Sequence, residues 1–400
     1  MMRPAIVFLF NLLQDVNILR PLVFLAARDC DADIVLLVSH TFTSRDRTAL
    51  WQRELARLAV DVDAATHVFE TSLDVYAVLE GRRGLLLAGS ESDLFGHHET
   101  HSAMQVAPSG FLKVTLQHGY ECVGFLQNQE HVLSHGRTVT FAADVICGWS
   151  APHRLTALVA SQRPKLYVTG PTAVLNRPRP GAVPPPVVGG IVCENLHSVR
   201  FRAAGAFGPP FMDTFNAFCA TLASAGQGVT LRPHPGGQYV IKNKIALPPN
   251  VTLNNLPIYD VDLRAYAYGI SAPSTVVLDM VFAGIPTAVW RDEAGVMDTT
   301  NYEGLTPISR LADWLAFVRD AVIRPDALLE RQRAFVASCG IVADPAEVHR
   351  RFARLIACGV DGPSVGAVRA GPRDDAPASF RPPSLQAAAR DADGRGAPPP

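Results

Sequence analysis

The sequence predicts an α/β protein of two domains, each a parallel sheet covered by helices, and three observations carry that expectation. Short apolar runs of strand length alternate with longer amphipathic stretches along most of the 400-residue chain. A proline-rich segment at residues 177–186, RPRPGAVPPP, divides the alternation into two series. The hydrophobic fraction of 48% is enough apolar material for two cores.

The first series opens at residues 5–10, AIVFLF, a continuous apolar run of the kind found in strands buried on both faces. Residues 15–28 follow with helical spacing, and Pro21 fits that helix only if it falls in the first turn. A second buried strand is expected at 34–39 and an amphipathic helix at 45–58, capped near Ser44. Weaker strand character at 67–70 leads into a helix from 72 to about 80, then a strand at 85–89. That strand ends in the polar loop Ser90-Glu91-Ser92-Asp93. A helix over 98–106 precedes a strand at 113–117, which runs into His118-Gly119. A strand at 144–147, a helix at 151–161 with Pro152 at its start and a strand at 165–169 close this half.

The second series begins with a strand at 187–193 and a helix at 210–225. Strands at 229–232 and 251–254, a short helix at 261–268 and a minimal strand at 269–271 come next. A helix at 275–283, a strand at 287–290 and amphipathic helices at 308–322, 326–338 and 345–357 complete it. The domains are therefore expected at 1–176 and 187–360, with 177–186 as linker. Residues 361–400 hold eight prolines, five glycines and few large hydrophobes, the composition of a disordered tail.

Composition excludes several functions. With 36 basic and 37 acidic side chains the net charge is −1, so there is no global pull toward nucleic acid. The seven cysteines are scattered without a CxxC, and several sit in apolar runs, which points to a reducing compartment rather than a disulfide framework. The N-terminal apolar run is interrupted by Asn11, Gln14, Asp15, Asn17 and Arg20, and reads as strand, loop and helix rather than a signal segment. A cytoplasmic protein is expected, a location compatible with peripheral contact at the inner membrane face.

Two strand exits in the second half concentrate the chemistry. One carries Arg232, His234 and the pair Gly236-Gly237; the other carries Ser271, Ser274 and Thr275 at the mouth of an apolar helix. Hydroxyls and unpartnered N–H groups at a helix start bind anions, and Arg or His nearby adds charge-assisted hydrogen bonds. In the first half, His118, Glu91 and Asp93 lie beyond strand ends, where ligands of parallel sheets bind. Any of the three serves as a candidate base. The cluster His97-His98-Glu99-Thr100-His101 places two histidines four apart but lacks HExxH spacing and an obvious third ligand. The Asp-Val-Asp runs at 61–63 and 260–262 follow no convincing strand, so no metal site is expected.

Gln117-His118-Gly119 at a strand end, Arg232-Pro233-His234-Pro235 and the stretch SAPSTVVLDMVFAGIPTAV from Ser271 occur together in that order. This combination resembles the GT-B glycosyltransferases of bacterial surface-polysaccharide synthesis. Nearest in pattern are the CDP-glycerol glycerophosphotransferases and the capsular transferases that use CMP-sugars. The teichoic-acid enzymes carry an aspartate–aromatic–Ser-Ser form of the last motif, from which Ser271-Ala272-Pro273-Ser274-Thr275 departs. The resemblance implies two Rossmann-like domains facing each other across a cleft. It also implies a CMP-, CDP- or UDP-linked donor held by Arg232, His234, Ser271, Ser274 and Thr275, and no cofactor or metal. His118 would face the reacting centre, and the acceptor would be a glycan or lipid-linked species. The alternatives are an isomerase similar to the UDP-GlcNAc 2-epimerases and a non-catalytic nucleotide-binding subunit of a synthesis complex.

Overall fold

The apolar runs pair with one another because each, buried on both faces, has only its backbone edge left to satisfy. In the computed structural model, which describes residues 3–176, 187, 189–196, 208–362 and 365–369, they form two parallel sheets. The first contains β1 (Ala5–Phe10), β2 (Asp33–Ser39), β3 (Ala65–Phe69), β4 (Gly84–Ala88), β5 (Phe111–Leu116), β6 (Val145–Gly148) and β7 (Leu166–Val168). Its order is β3-β2-β1-β4-β5-β6-β7. The second contains β8 (Gly190–Glu194), β9 (Val229–Pro233), β10 (Val251–Leu253), β11 (Tyr268–Ser271), β12 (Thr287–Trp290) and β13 (Thr306–Ile308), in the order β10-β9-β8-β11-β12-β13. Each sheet grows outward from its first strand and then reverses, so each has a switch point, between β1 and β4 and between β8 and β11. The expected two-domain α/β architecture is the observed one. The proline-rich segment 177–186 and the chain beyond residue 369 lie outside the described residues.

Helices cover both faces, with several departures from the periodicity. α1 (Asp15–Asp29) contains Pro21 beyond its first turn, in a buried position. Its neighbours Leu19, Leu22 and Val23 are buried in the same helix, so packing outweighs the hydrogen bond that proline removes. The helix expected over 45–58 is split into α2 (His40–Arg45) and α3 (Leu50–Asp61). The Asp46 carboxylate accepts the Gln52 N–H at 2.8 Å and the Thr48 hydroxyl at 3.2 Å, which competes with continuing the helix. α4 (Ser72–Leu79) and α5 (His98–Val106) follow the expectation. α6 (Gln129–His135), in the long connection after β5, was not expected.

No helix forms at 151–161: Leu155 and Leu158 are buried, but the Ala157 N–H donates outward to the Phe125 carbonyl at 2.9 Å. In the second domain α7 (Gly208–Ser224), α8 (Tyr239–Lys242) and α9 (Val276–Ala283) precede the terminal helices. The stretch 261–268 yields only a 3₁₀ turn at Leu263–Ala265, where the Asp262 side chain accepts the Arg264 N–H. β13 occupies part of what read as the start of a helix, leaving α10 at Leu311–Ile323.

The last helices correct the expected domain boundary. α11 (Pro325–Cys339) stays with the second sheet, where the Gln332 side chain bonds the backbone of Thr287 and Ile285. α12 (Pro345–Asp361) crosses back, and Val348, Phe352, Leu355 and Ile356 are buried in the core of the first sheet. Gly359 lies so close to β4 that an added Cβ would stand 2.8 Å from the Leu85 Cβ. Nor does the ordered chain stop at residue 361: α13 (Val365–Arg369) follows, with Val368 1% exposed in the same core. The sequence assigned these residues by adjacency, whereas burial assigns them to whichever sheet needs covering.

Several contacts join the two domains, among them an apolar cluster and a polar pair. Tyr120 and Trp149 of the first domain share an apolar cluster with Val277, Leu278, Val281, Val289 and Phe335 of the second. Farther along, the Tyr259 hydroxyl donates to Glu54 at 2.9 Å, and the Arg20 guanidinium lies 4.3 Å from the Tyr259 ring centre. No helix among the described residues is long and apolar enough to cross a membrane. Because α12 belongs to the first core, Phe352→Ala is expected to destabilise the protein by about 3–5 kcal/mol in urea melts. A loss under 1 kcal/mol would contradict that packing.

Candidate functional site

Parallel strands end their ladders on one edge, and the turns that follow carry whatever faces a ligand. At the end of β5 the Gln117 side chain knots the turn. Its Nε2 donates to the carbonyls of Gly119 and Tyr120 at 3.0 and 3.2 Å, and its Oε1 accepts the Trp149 N–H at 2.9 Å. The knot presses Gly119 against the second domain, where a Cβ would stand 2.9 Å from Thr275 Oγ1. The next N–H, of Tyr120, donates to that hydroxyl at 3.0 Å. His118 immediately precedes the residues so held against the start of α9.

The His118 ring is perpendicular to that of His97, with centroids 5.4 Å apart, and its Nδ1 lies 3.4 Å from the Cys122 sulfur. Enclosure by protein pushes the His118 pKa down to about 4, and the nearby His131 adds to the effect. The ring is therefore neutral near pH 7, the form that accepts a proton. The same burial pushes the Cys122 thiol up to about 12, so it is no thiolate nucleophile.

The other two candidate bases are occupied elsewhere. Glu91 is buried, and its Oε1 accepts the Ala142 N–H at 2.9 Å and contacts His101 Nδ1 at 2.6 Å. Asp93 accepts the Thr140 N–H at 3.1 Å and its hydroxyl at 2.7 Å. Both carboxylates fasten the loop after β4 to the chain entering β6. Their expected place at the reacting centre did not include these bonds. The paired histidines also separate: His97 turns toward Ser92 and His118, and His101 toward Glu91. Among the described residues no group of three or more His, Cys, Asp or Glu is arranged to hold a metal ion.

On the second domain the five expected anion ligands divide. Ser274 and Thr275 are partly exposed at the start of α9, where their carbonyls accept the Val277 N–H at 3.1 Å and the Leu278 N–H at 2.9 Å. Thr275 Oγ1 accepts from Tyr120, which leaves its own proton to donate. His234 is half-buried, and its Nδ1 accepts the Gly236 N–H at 3.2 Å, so Nε2 is the other edge of the ring. Gly236 stands across from the first domain, where an added Cβ would lie 3.9 Å from Gln14 Oε1.

Ser271 and Arg232 do not reach the seam. Ser271 is fully buried and donates to the Ala272 carbonyl at 2.6 Å. Arg232 is 5% exposed and donates to the Leu256 carbonyl at 2.6 Å. Burial lowers its pKa, opposed by Cys193 and Asp279. Strand alternation aims Arg232 under the sheet, beside Cys193 of β8, rather than beyond its end.

Two buried carboxylates at the switch points were not singled out from sequence. Asp15 Oδ2 accepts the N–H groups of Asn11 and Leu12 at 2.9 and 2.7 Å, and Oδ1 accepts the Ser90 hydroxyl at 3.0 Å. These are the donors with which a β-to-α turn holds a phosphate, so in the first domain an internal carboxylate takes the anion position. Glu194, at the end of β8, accepts the Leu196 N–H at 3.2 Å, and the backbone of His234, Tyr239 and Val240 nearby favours its charged form. The one available sequence signal was an acidic residue just past the first strand of each series.

Burial raises both carboxyl groups to about 7. A carboxyl whose folded pKa exceeds its unfolded value binds more protons when native, so its contribution falls as pH rises from about 4 to about 7. His97 and His118, lowered to about 3 and about 4, contribute with the opposite sign over an overlapping range. Removing one carboxyl exposes its share: relative to the parent, Asp15→Asn is expected to gain stability progressively from pH 4 to 7 in urea melts. A constant difference across that range would contradict the assignment.

No protein-family model and no curated protein sequence matches this chain. Solved structures share its fold. A putative UDP-N-acetylglucosamine 2-epimerase from Listeria monocytogenes superposes with a TM-score of 0.59 at 12% identity, over 90% of this chain and 96% of that one. The S. aureus MnaA structure with UDP gives 0.57 at 12% identity, over 90% and 97%. The wall teichoic acid polymerase TagF gives 0.55 at 10% identity, over 89% of each chain. The two-domain frame of paired parallel sheets is common to all three.

Proposed function

We propose that the protein is a glycosyltransferase of GT-B type that moves a sugar, or a polyol phosphate, from a nucleotide-linked donor to a glycan or lipid-linked acceptor. One observation carries this reading: a neutral, enclosed histidine, His118, is docked by the Gly119-Tyr120 turn against the first turn of α9. In this reading a proton acceptor and an anion-binding helix start serve the same space. In the first domain the equivalent anion position is taken by Asp15, which supports assigning the donor to the second domain and the acceptor to the first. Among the similar structures one holds UDP and another is a wall teichoic acid polymerase, both in keeping with a nucleotide-linked donor.

In the proposed step the acceptor hydroxyl gives its proton to the His118 imidazole as its oxygen bonds to the anomeric carbon, or to phosphorus for a polyol phosphate. The bond from that centre to the nucleotide phosphate oxygen breaks, and its electron pair leaves with the nucleotide. The dipole at the start of α9, the Ser274 and Thr275 hydroxyls and His234 stabilise the charge gained by the phosphate.

A thermal-shift screen with CMP, CDP, UDP and GDP tests the donor assignment. A ligand at 100 times its Kd stabilises by about 2.7 kcal/mol, and no response to any of the four would remove the reading. His234→Ala is expected to lose most of the shift. His118→Gln is expected to keep the shift and lower transfer by about 10²–10⁴-fold. Full turnover in that variant would remove the base assignment. Isomerised nucleotide-sugar formed without any acceptor would replace transfer by a 2-epimerase-like reaction.

A further inference from the structure

We infer that His97 is a positioning residue for His118: its perpendicular ring fixes the plane of the His118 imidazole and keeps water from it. The inference rests on His118 being the base and adds what holds its ring in place. The contact is built from several directions. Ser92 Oγ lies 2.7 Å from His97 Nδ1 and also accepts the Leu94 N–H at 3.4 Å. Asn11 Nδ2 donates to the Gly96 carbonyl at 3.1 Å, tying the preceding residue to the end of β1. The Thr100 hydroxyl lies 2.8 Å from the Ser90 carbonyl and 2.9 Å from that of His97. So anchored, the buried His97 ring meets the His118 ring at 85°. The sequence pattern suggested His97 and His101 as a pair on one helix face. The structure breaks that pair, because His97 ends a 3₁₀ turn before α5 begins.

The charged surroundings agree with this role. His97 senses His118, Arg45 of α2, His135 of α6 and His101 of α5, and His118 senses His131 of α6. All of these oppose a proton on the pair, and Cys122, the remaining titratable contact of His118, stays a thiol. The carboxylates of the same loop, Glu91 and Asp93, are held by Ala142, His101 and Thr140. Burial pushes His97 itself down to about 3, so near neutral pH it brings apolar bulk and no charge to its partner. A small side chain at this position would let water solvate His118 and leave its ring free to turn.

The test is an NMR titration of the His118 ring in the parent protein, His97→Ala and His97→Phe, with kinetics alongside. The parent ring is expected to titrate near 4. In His97→Ala the midpoint is expected to climb by about one unit or more toward 6.5, with the acid limb of kcat moving up equally. The same variant is expected to lose about tenfold in kcat with donor KM within about twofold of the parent. His97→Phe restores bulk and is expected to return the midpoint toward the parent value. An unchanged midpoint in a folded His97→Ala overturns the inference. Where that variant fails to fold, Ser92→Ala releases the ring without emptying its place, and an unchanged midpoint there overturns it as well. If His118→Gln instead keeps full turnover, the base assignment fails while the midpoint shift still reports on the His97 contact.

Discussion

One close approach organises the molecule: the Gly119-Tyr120 turn of the first domain against Thr275 of the second. It exists because Gln117 satisfies the turn's carbonyls internally, and because position 119 has no Cβ to collide with Thr275 Oγ1. The hydrogen bond from Tyr120 to Thr275 then joins the loop after β5 to the mouth of α9. Beneath it, Tyr120, Trp149, Val277 and Leu278 bury apolar surface common to both domains. The start of a helix and the loop that carries a half-buried histidine are thus joined by packing.

The same logic explains why the two halves, alike in topology, differ in chemistry. Both sheets offer a switch point, but Asp15 fills the first with a carboxylate that takes the backbone donors. In the second, Glu194 braces the loop carrying His234 from below, while the start of α9 still faces the seam. Each buried acid costs stability as pH rises toward 7, and each holds a loop that has few other hydrogen-bond partners. Proteins accept such costs where a loop must keep one conformation for a ligand.

Much of the frame was legible from sequence. Strand-length apolar runs have a single low-energy use in a chain of this size, so the two parallel sheets and most helices could be read from periodicity alone. That His118, His234, Ser274 and Thr275 lie beyond strand ends was legible as well, from the order of apolar runs and turns. Glu91 and Asp93 met the same rule, but their hydrogen bonds could not be read from it. Their partners, Ala142 and Thr140, come from a segment some fifty residues away, and no local pattern announces them.

By itself, then, the sequence determined the fold class, the alternation of strands and helices in each half and the positions at which chemistry could occur, since these follow from local periodicity and turn chemistry. Tertiary structure alone decided which of those positions face the seam. Arg232 and Ser271 were turned inward because burial on the crowded side of a sheet outweighs exposure at its end. α12 was sent back to the first core because that sheet had apolar surface left to cover. His97 became a neighbour of His118 only when the turns after β4 and β5 were brought together. Such contacts join residues far apart in the chain, and their energy depends on everything packed around them.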